Sequence, residues 1–415
     1  MPWPHHLRAL EHRDFRIYAT GQFVSVLGTW MQSVAQSWLM YRLTSSEFLL
    51  GLTFFCTHVP VLLFSPLGGW AADRFPRRRI VVITQTLAAL QALTMAVLTY
   101  TGTVTVTHIL VMAVVLGTVH AFDIPGRQTL FIQLVGKSDL LSAIALNSAA
   151  FNSARVIGPA IAGLAVAAWG EAVCFLINAI SFTAMIRGLL TISNKPPRSD
   201  GPPTPGSILE GFRYVLRNPE IRTVLTMSAT LNLCYGPILA LGPFFADGIF
   251  HRGSSGFGFL IGAMGFGAVI GVLQLARHKG IAELPSLMGW GSATMVVALL
   301  VFAMSPSYWL SMAVMPFIGY SVMRQNAGGN SLIQTVVPES YRGRTMAIYS
   351  MTVTGILPFG SLAAGSLANW YGPRWVIAGA ALLCLVGALR YRALFPAFQR
   401  WVKQQEEQKE ETCVA

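Results

Sequence analysis

From residue 16 to residue 395, apolar runs of about 20 residues follow one another with only short interruptions. A run of that length crosses a hydrocarbon core of about 30 Å as an α-helix, and a chain assembled from such runs has little polar surface to turn toward water. Charged residues make up 11% of the sequence and apolar ones 53%, whereas roughly a quarter of an ordinary soluble domain is charged. The chain is therefore expected to be an all-α membrane protein, not the two or three soluble domains that 415 residues could otherwise form.

Breakers between the runs put spans near 16–41, 49–71, 80–100, 107–127, 140–168 and 172–192, then near 221–246, 255–276, 285–304, 308–334, 344–370 and 374–395, twelve transmembrane helices in all. This gives an N-terminal six-helix bundle over 1–192, a cytoplasmic linker over 193–220, a C-terminal six-helix bundle over 221–396 and a cytoplasmic tail over 397–415. The first part of the linker, SNKPPRSDGPPTPGS, is too rich in Pro, Gly and Ser to pack. Beyond it, Ile208, Leu209, Phe212, Val215 and Leu216 share one helical face and Arg213 and Arg217 another, with Ser207 and Glu210 spaced as a capping box. That pattern predicts a short helix lying on the membrane surface.

The net charge of +12 does not point to nucleic acid, because the basic residues sit in loops between spans and not on one polar face with stacking aromatics. They follow the rule that basic loops stay in the cytoplasm. One side collects both termini, the 74–79 loop, the linker and the 277–279 and 342–344 loops, while the other has only Arg42, Arg252 and Arg374. Both termini are expected in the cytoplasm, and the outer loops are too short to hold a domain. The five cysteines are scattered and suit neither a disulfide framework nor a metal site. The polar N-terminus precedes an apolar run too long for a signal peptide, so the first span is expected to be retained.

The halves repeat at an offset of about 201 residues: QLVGKSDLLSAIALNS at 133–148 aligns with QTVVPESYRGRTMAIYS at 334–350, and Gly163 and Gly170 fall on Gly365 and Gly372. Two pseudo-symmetric six-helix bundles in parallel repeat describe a large transporter class whose substrate site lies between the halves near the membrane midplane.

The stretch GGWAADRFPRRR, between the second and third spans, resembles the signature loop of the major facilitator superfamily, G-x-x-x-D-R/K-x-G-R-R/K, with Gly69, Asp73, Arg74, Arg77 and Arg78 in register and Pro76 standing where the pattern has glycine. The resemblance covers essentially the whole chain. It implies the major facilitator fold and a gating latch: Asp73 facing the positive N-terminus of span eleven, and Arg77 reaching an acid on span four, here Asp123. FDIPGRQTLFIQLV and LNSAAFNSARVIGPAIAG are similar to the bacterial branch that includes the enterobactin exporter, and more loosely to the lysophospholipid transporters. ARVIGPAIAG further resembles the span-five motif of exporters, in which Gly158 and Pro159 would form a helix bend, although Ala145, Ala154 and Ala162 replace glycines of that motif.

Polar groups within the spans are the candidate site. Gln22, Ser25, Thr29, Gln32 and Gln36 share one face of the first helix; they either line a cavity or pair with other helices, and Gln32 and Gln36 are assigned to a substrate cavity. Asn147, Ser148, Asn152 and Arg155 form a second strip on span five, where Arg155 either binds an anionic cargo or caps carbonyls at the bend. Arg324 on span ten joins the cavity set, one repeat away from Asp123. Asp123, Glu171 and Asp247 look terminal in their spans, and His58 reads as a structural histidine that could also carry a proton. GAMGFGAVIG at 262–271 lacks the strand and lysine of a nucleotide loop, so no nucleotide, other cofactor or metal is expected and the chain is not read as an enzyme.

The expected protein is a secondary transporter of the bacterial inner membrane, monomeric and lipid-embedded, that exports a small organic molecule against inward proton flow. A lysophospholipid flippase and a non-transporting receptor or assembly factor are the alternatives.

Overall fold

The computed structural model describes residues 5–135, 139–192, 208–275, 277 and 280–414, and among these there is no strand. The 193–207 part of the linker, with Ser207 of the expected capping box, lies outside the described residues. A seven-residue 3-10 segment, His5–Glu11, precedes α1 (Arg13–Thr44), α2 (Glu47–Arg74), α3 (Arg77–Tyr100), α4 (Val106–Val135), α5 (Leu140–Trp169) and α6 (Glu171–Thr191). There follow α7 (Ile208–Arg217), α8 (Pro219–Pro243) with a π-helical extension Phe244–Ile249, α9 (Gly253–Leu275), α10 (Leu284–Met304), α11 (Tyr308–Val336), α12 (Glu339–Gly355), α13 (Leu357–Tyr371) and α14 (Pro373–Val414).

Ten helical segments among the described residues are long and apolar enough to cross a membrane. The long helices α1 and α11, of 32 and 29 residues, are absent from that set. Both carry internal polar strips: Gln22, Ser25, Gln32 and Gln36 in one, Arg324, Gln325 and Asn326 in the other.

The chain divides into two compact units, Met1–Pro202 with Pro243–Gly262, and Pro203–Gly242 with Ala263–Ala415. In the first, α2 packs on α4, α1 on α5 and α6, and α3 on α4 and α6. In the second, α10 packs on α11 and α14, α13 on α14, and α7 on α12. Lipid tails are as apolar as leucine, so such contacts depend on close backbone approach and on polar ties more than on burial. Gly117 of α4 lies so close to the Thr57 carbonyl of α2 that a β-carbon there would collide with it, and Gly319 of α11 stands in the same relation to the Met264 carbonyl of α9. The internal repeat thus appears as the same contact made once in each unit. A second echo is the hinge between consecutive helices: Gly170, at φ 80°, separates α5 from α6, and Gly372, at φ 81°, separates α13 from α14.

Four features depart from the expected boundaries. The eleventh span is two helices, α12 and α13, meeting at Ile356; Pro358 follows at once and has no N–H to continue the first ladder. The twelfth does not stop at 395: α14 runs to Val414, with Phe398 and Val402 buried and the Glu406 carboxylate accepting the Ile281 N–H at 2.9 Å. The tail over 397–415 is therefore helical where described and packs on its own unit. The linker helix α7 is not a free surface helix. Val215 is buried, Tyr214 stacks on Tyr341 of α12 (4.5 Å between centroids, 8° between planes), and Glu210 pairs with Arg344 at 2.7 Å. Phe212 and Leu216 remain exposed, the part of the amphipathic face left for lipid. Finally, Pro243–Gly262 belongs with the first unit, where the Ser254 hydroxyl donates to the Gly163 carbonyl at 3.2 Å and the Tyr41 hydroxyl to Asp247 at 3.2 Å.

Candidate functional site

The polar strip of α1 is spent on neighbouring helices of its own unit. Gln32 donates to Gln91 of α3 at 2.8 Å and accepts from Asn178 of α6 at 2.6 Å. Gln91 passes the chain on to the Met112 carbonyl of α4 at 3.2 Å. Gln36 reaches the Thr57 hydroxyl of α2 at 3.4 Å. Gln32 is 1% exposed and Gln36 5%, so the assignment of these two glutamines to a substrate cavity is corrected: they are inter-helix ties, the other reading of the strip. The physical reason is that an unpaired amide in a low-dielectric interior costs several kcal/mol, about 2–7, and α3 and α6 supply partners for Gln32 and α2 for Gln36.

A second network centres on Asp123, 1% exposed. Because α4 continues through Pro125 to Val135, this acid lies inside the helix, not at its end as the sequence suggested. Arg127, one turn on and on the same face, sets its Nε 2.6 Å from Oδ2. The Thr84 hydroxyl and Gln85 amide of α3 donate to Oδ1 at 2.7 and 3.0 Å. Ser25 of α1 donates to Gln85 at 3.2 Å, and Arg127 donates to Gln22 of α1 at 3.1 Å. One buried carboxylate therefore ties α1, α3 and α4 together. The expected pairing of Asp123 with Arg77 is replaced by pairing with Arg127, which needs no second helix to reach it.

The signature-loop residues divide into spent and unspent groups. Arg78 donates to the Leu190 carbonyl at the end of α6 at 2.8 Å, satisfying a carbonyl that the helix terminus leaves open. Arg74 stands over the Trp70 ring at 5.6 Å. Gly69 has open space where a side chain would go, and Pro76 occupies the N-cap of α3 at φ −56°, a conformation that suits proline. Asp73 is exposed, and among the described residues it has no hydrogen bond or ion pair; the Arg77 Nε is buried and has no hydrogen-bond partner there. These two are the members of the loop with bonding capacity to spare.

On α5, Asn147 and Asn152 are half-buried, and the Asn152 amide bonds back to the Ser148 carbonyl at 2.8 Å. Arg155 is 8% exposed, with its guanidinium 5.8 Å from the centre of the Trp30 ring of α1. Gly158 lets α1 approach, since a β-carbon there would sit 2.7 Å from that of Trp30. The helix is continuous through Gly158 and Pro159. In the second unit Arg324 is buried, bonded to the Tyr320 hydroxyl and stacked over its ring at 5.0 Å. Asn232 and Asn326 exchange hydrogen bonds at 2.9 and 3.2 Å nearby in the chain.

At the opposite end of α1 from the signature loop, Arg42 holds both oxygens of Glu171 at 2.6 and 3.3 Å. Sequence reasoning passed over this pair, and over His120, which stands one turn before Asp123; a histidine three residues from an acid in an apolar run was the available signal. Among the described residues no cluster of His, Cys, Asp and Glu could hold a metal ion.

The chain is similar to the multidrug efflux pump Tap of Mycolicibacterium fortuitum, with 25% identity over 83% of this chain and 87% of that one. It is similar to the enterobactin exporter EntS of Citrobacter koseri, with 24% identity over 91% and 93%. A shorter match, 30% identical over 168 residues, covers 40% of this chain and 42% of the staphyloferrin A transporter of Staphylococcus aureus. Among solved structures, the nucleoside transporter NupG superposes with a TM-score of 0.74 at 14% identity, over 92% of this chain and 99% of that one, a likeness of fold. Matching the transmembrane secretion effector family from residue 5 to residue 414, the chain belongs to that family of the major facilitator superfamily and is a multi-pass membrane transporter.

Proposed function

We propose that the protein exports a small organic molecule, of the drug, siderophore or amphipathic-metabolite class, from the cytoplasm across the bacterial inner membrane by alternating access and in exchange for protons, acting as a monomer with both termini cytoplasmic. The observation that carries this reading is that two relatives matched along more than four fifths of both chains are an efflux pump and an exporter. The polar groups of α5 support it. Asn147, Asn152 and Arg155 place polar groups on a largely apolar helix, and Arg155 suits an anionic group on the cargo. Arg324, its guanidinium on Tyr320, is assigned to cargo binding in the second unit. Asp73 and Arg77 form the gating latch, using the bonding capacity their own unit leaves unspent.

The test is an uptake screen of drugs, siderophores and lipids in proteoliposomes, with and without a pH gradient. Gradient-dependent movement of an organic solute is expected; binding without movement of any solute would refute the reading. Arg155→Ala should slow anionic cargo by about tenfold, the equivalent of one lost charge-assisted hydrogen bond, and neutral cargo much less. Equal loss for both would return Arg155 to a purely structural role.

A further inference from the structure

We propose that His58 of α2 and His120 of α4, with Asp123 as counter-ion, form a binding site for a single proton within the first unit. The proposal deepens the reading of a proton-driven exporter and rests on it for its purpose, but not for its test.

The two histidines lie beside one of the close approaches of α2 and α4. Gly117 lies against the Thr57 carbonyl and Pro60, with His58 next to Thr57 and His120 one turn beyond Gly117. The tautomer of His58 follows from its partner. Its Nδ1 lies 2.9 Å from the Phe54 carbonyl, which can only accept, so Nδ1 carries the hydrogen and Nε2 keeps a free lone pair. The ring stacks on Phe54 with centroids 4.0 Å apart and planes 14° apart, a surface that tolerates positive charge. Both imidazoles are half-buried, and so sheltered but within reach of a mobile proton.

His120, Asp123 and Arg127 follow one another at intervals of three and four, on one face of α4. The other groups set about the cluster are neutral: Thr84 and Gln85 of α3, and Tyr18 and Gln22 of α1, of which the Tyr18 hydroxyl meets the Arg127 carbonyl at 3.5 Å. On α5, Arg155 is drawn over Trp30.

The charge count then limits the site to one proton. With both rings neutral, Arg127 and Asp123 cancel. A first proton, taken by an imidazole lone pair, leaves a net charge of one beside a single carboxylate; a second would add a like charge at the same α2–α4 contact, which groups in a poor dielectric resist. A protonated His120 also competes with Arg127 for Asp123, so proton arrival bears on the bonds that link Arg127 and Gln85 to α1.

The experiment is a titration of the full-length protein in nanodiscs of phosphatidylcholine and phosphatidylglycerol, with 15N-labelled histidine and His→Gln variants to assign the His58 and His120 signals. Between about pH 5 and pH 8, where imidazoles titrate, the two should take up one proton in total and move together. Asp123→Asn should lower the midpoint by about one pH unit or more. Should that variant not fold, His58→Gln serves instead, and the His120 midpoint should rise because its competitor is gone. The proposal is overturned if both rings stay neutral down to pH 5, or if they take up two protons independently of each other with midpoints that neither substitution moves. No cargo enters the measurement, so the proton site and the exporter reading fail separately.

Discussion

Glycine has two uses in this chain, and they predict opposite outcomes for the same substitution. Gly319 of α11 lies against the Met264 carbonyl, with no flexible side chain to give way, so Gly319→Ala should force α9 and α11 apart. Overpacking of this kind costs about 1–3 kcal/mol, and a lowered melting temperature of the detergent-purified protein is the expected result. Gly69, although part of the signature loop, faces open space, and Gly69→Ala should leave that temperature unchanged. The polar strip of α1 was legible as a strip, because period fixes which residues share a face, but its partners were not. Gln32 finds Asn178 at a separation of 146 residues, and no local pattern encodes that choice between a wet cavity and a bonded interior. Asp123 was misplaced for a related reason: the apolar run was ended at 127, whereas the helix continues to Val135.

At the scale of elements, hydropathy located the spans because the bilayer imposes one length on all of them. It was silent where helices leave the bilayer. The stretch after Pro396 is polar and reads as a loose tail, but α14 carries its register through it and docks by Phe398, Val402 and Glu406. Glu406→Ala should cost about 1–3 kcal/mol, the value of a hydrogen bond to a charged group, and the amide of Ile281 should exchange its hydrogen faster, with little change in the spans. Unaltered exchange there would mean the contact carries no weight. The linker helix shows the same limit. Its amphipathic face was legible, but docking on α12 depends on Arg344, 134 residues away from Glu210.

For the whole molecule, the two-fold repeat was the strongest signal in the sequence, and it reappears as matched contacts, Gly117 with Gly319 and Gly170 with Gly372. The repeat explains why the fold was legible and the cargo was not: symmetry constrains the scaffold and leaves a trace in the sequence, whereas the few side chains that choose a cargo need not repeat. The latch belongs to this scale. Asp73→Asn should reduce transport severalfold while leaving expression and melting temperature near those of the parent, since Asp73 is exposed and unbonded within its own unit. The most direct test of proton-driven export uses everted membrane vesicles whose lumen has been acidified by respiration, with ethidium and a catecholate siderophore added in turn and lumen acidity followed by a quenched dye. The expected result is accumulation of at least one solute inside the vesicles together with a matching loss of lumen acidity. A solute that only equilibrates, at the same rate with the gradient collapsed and with no change in lumen pH, would contradict the account.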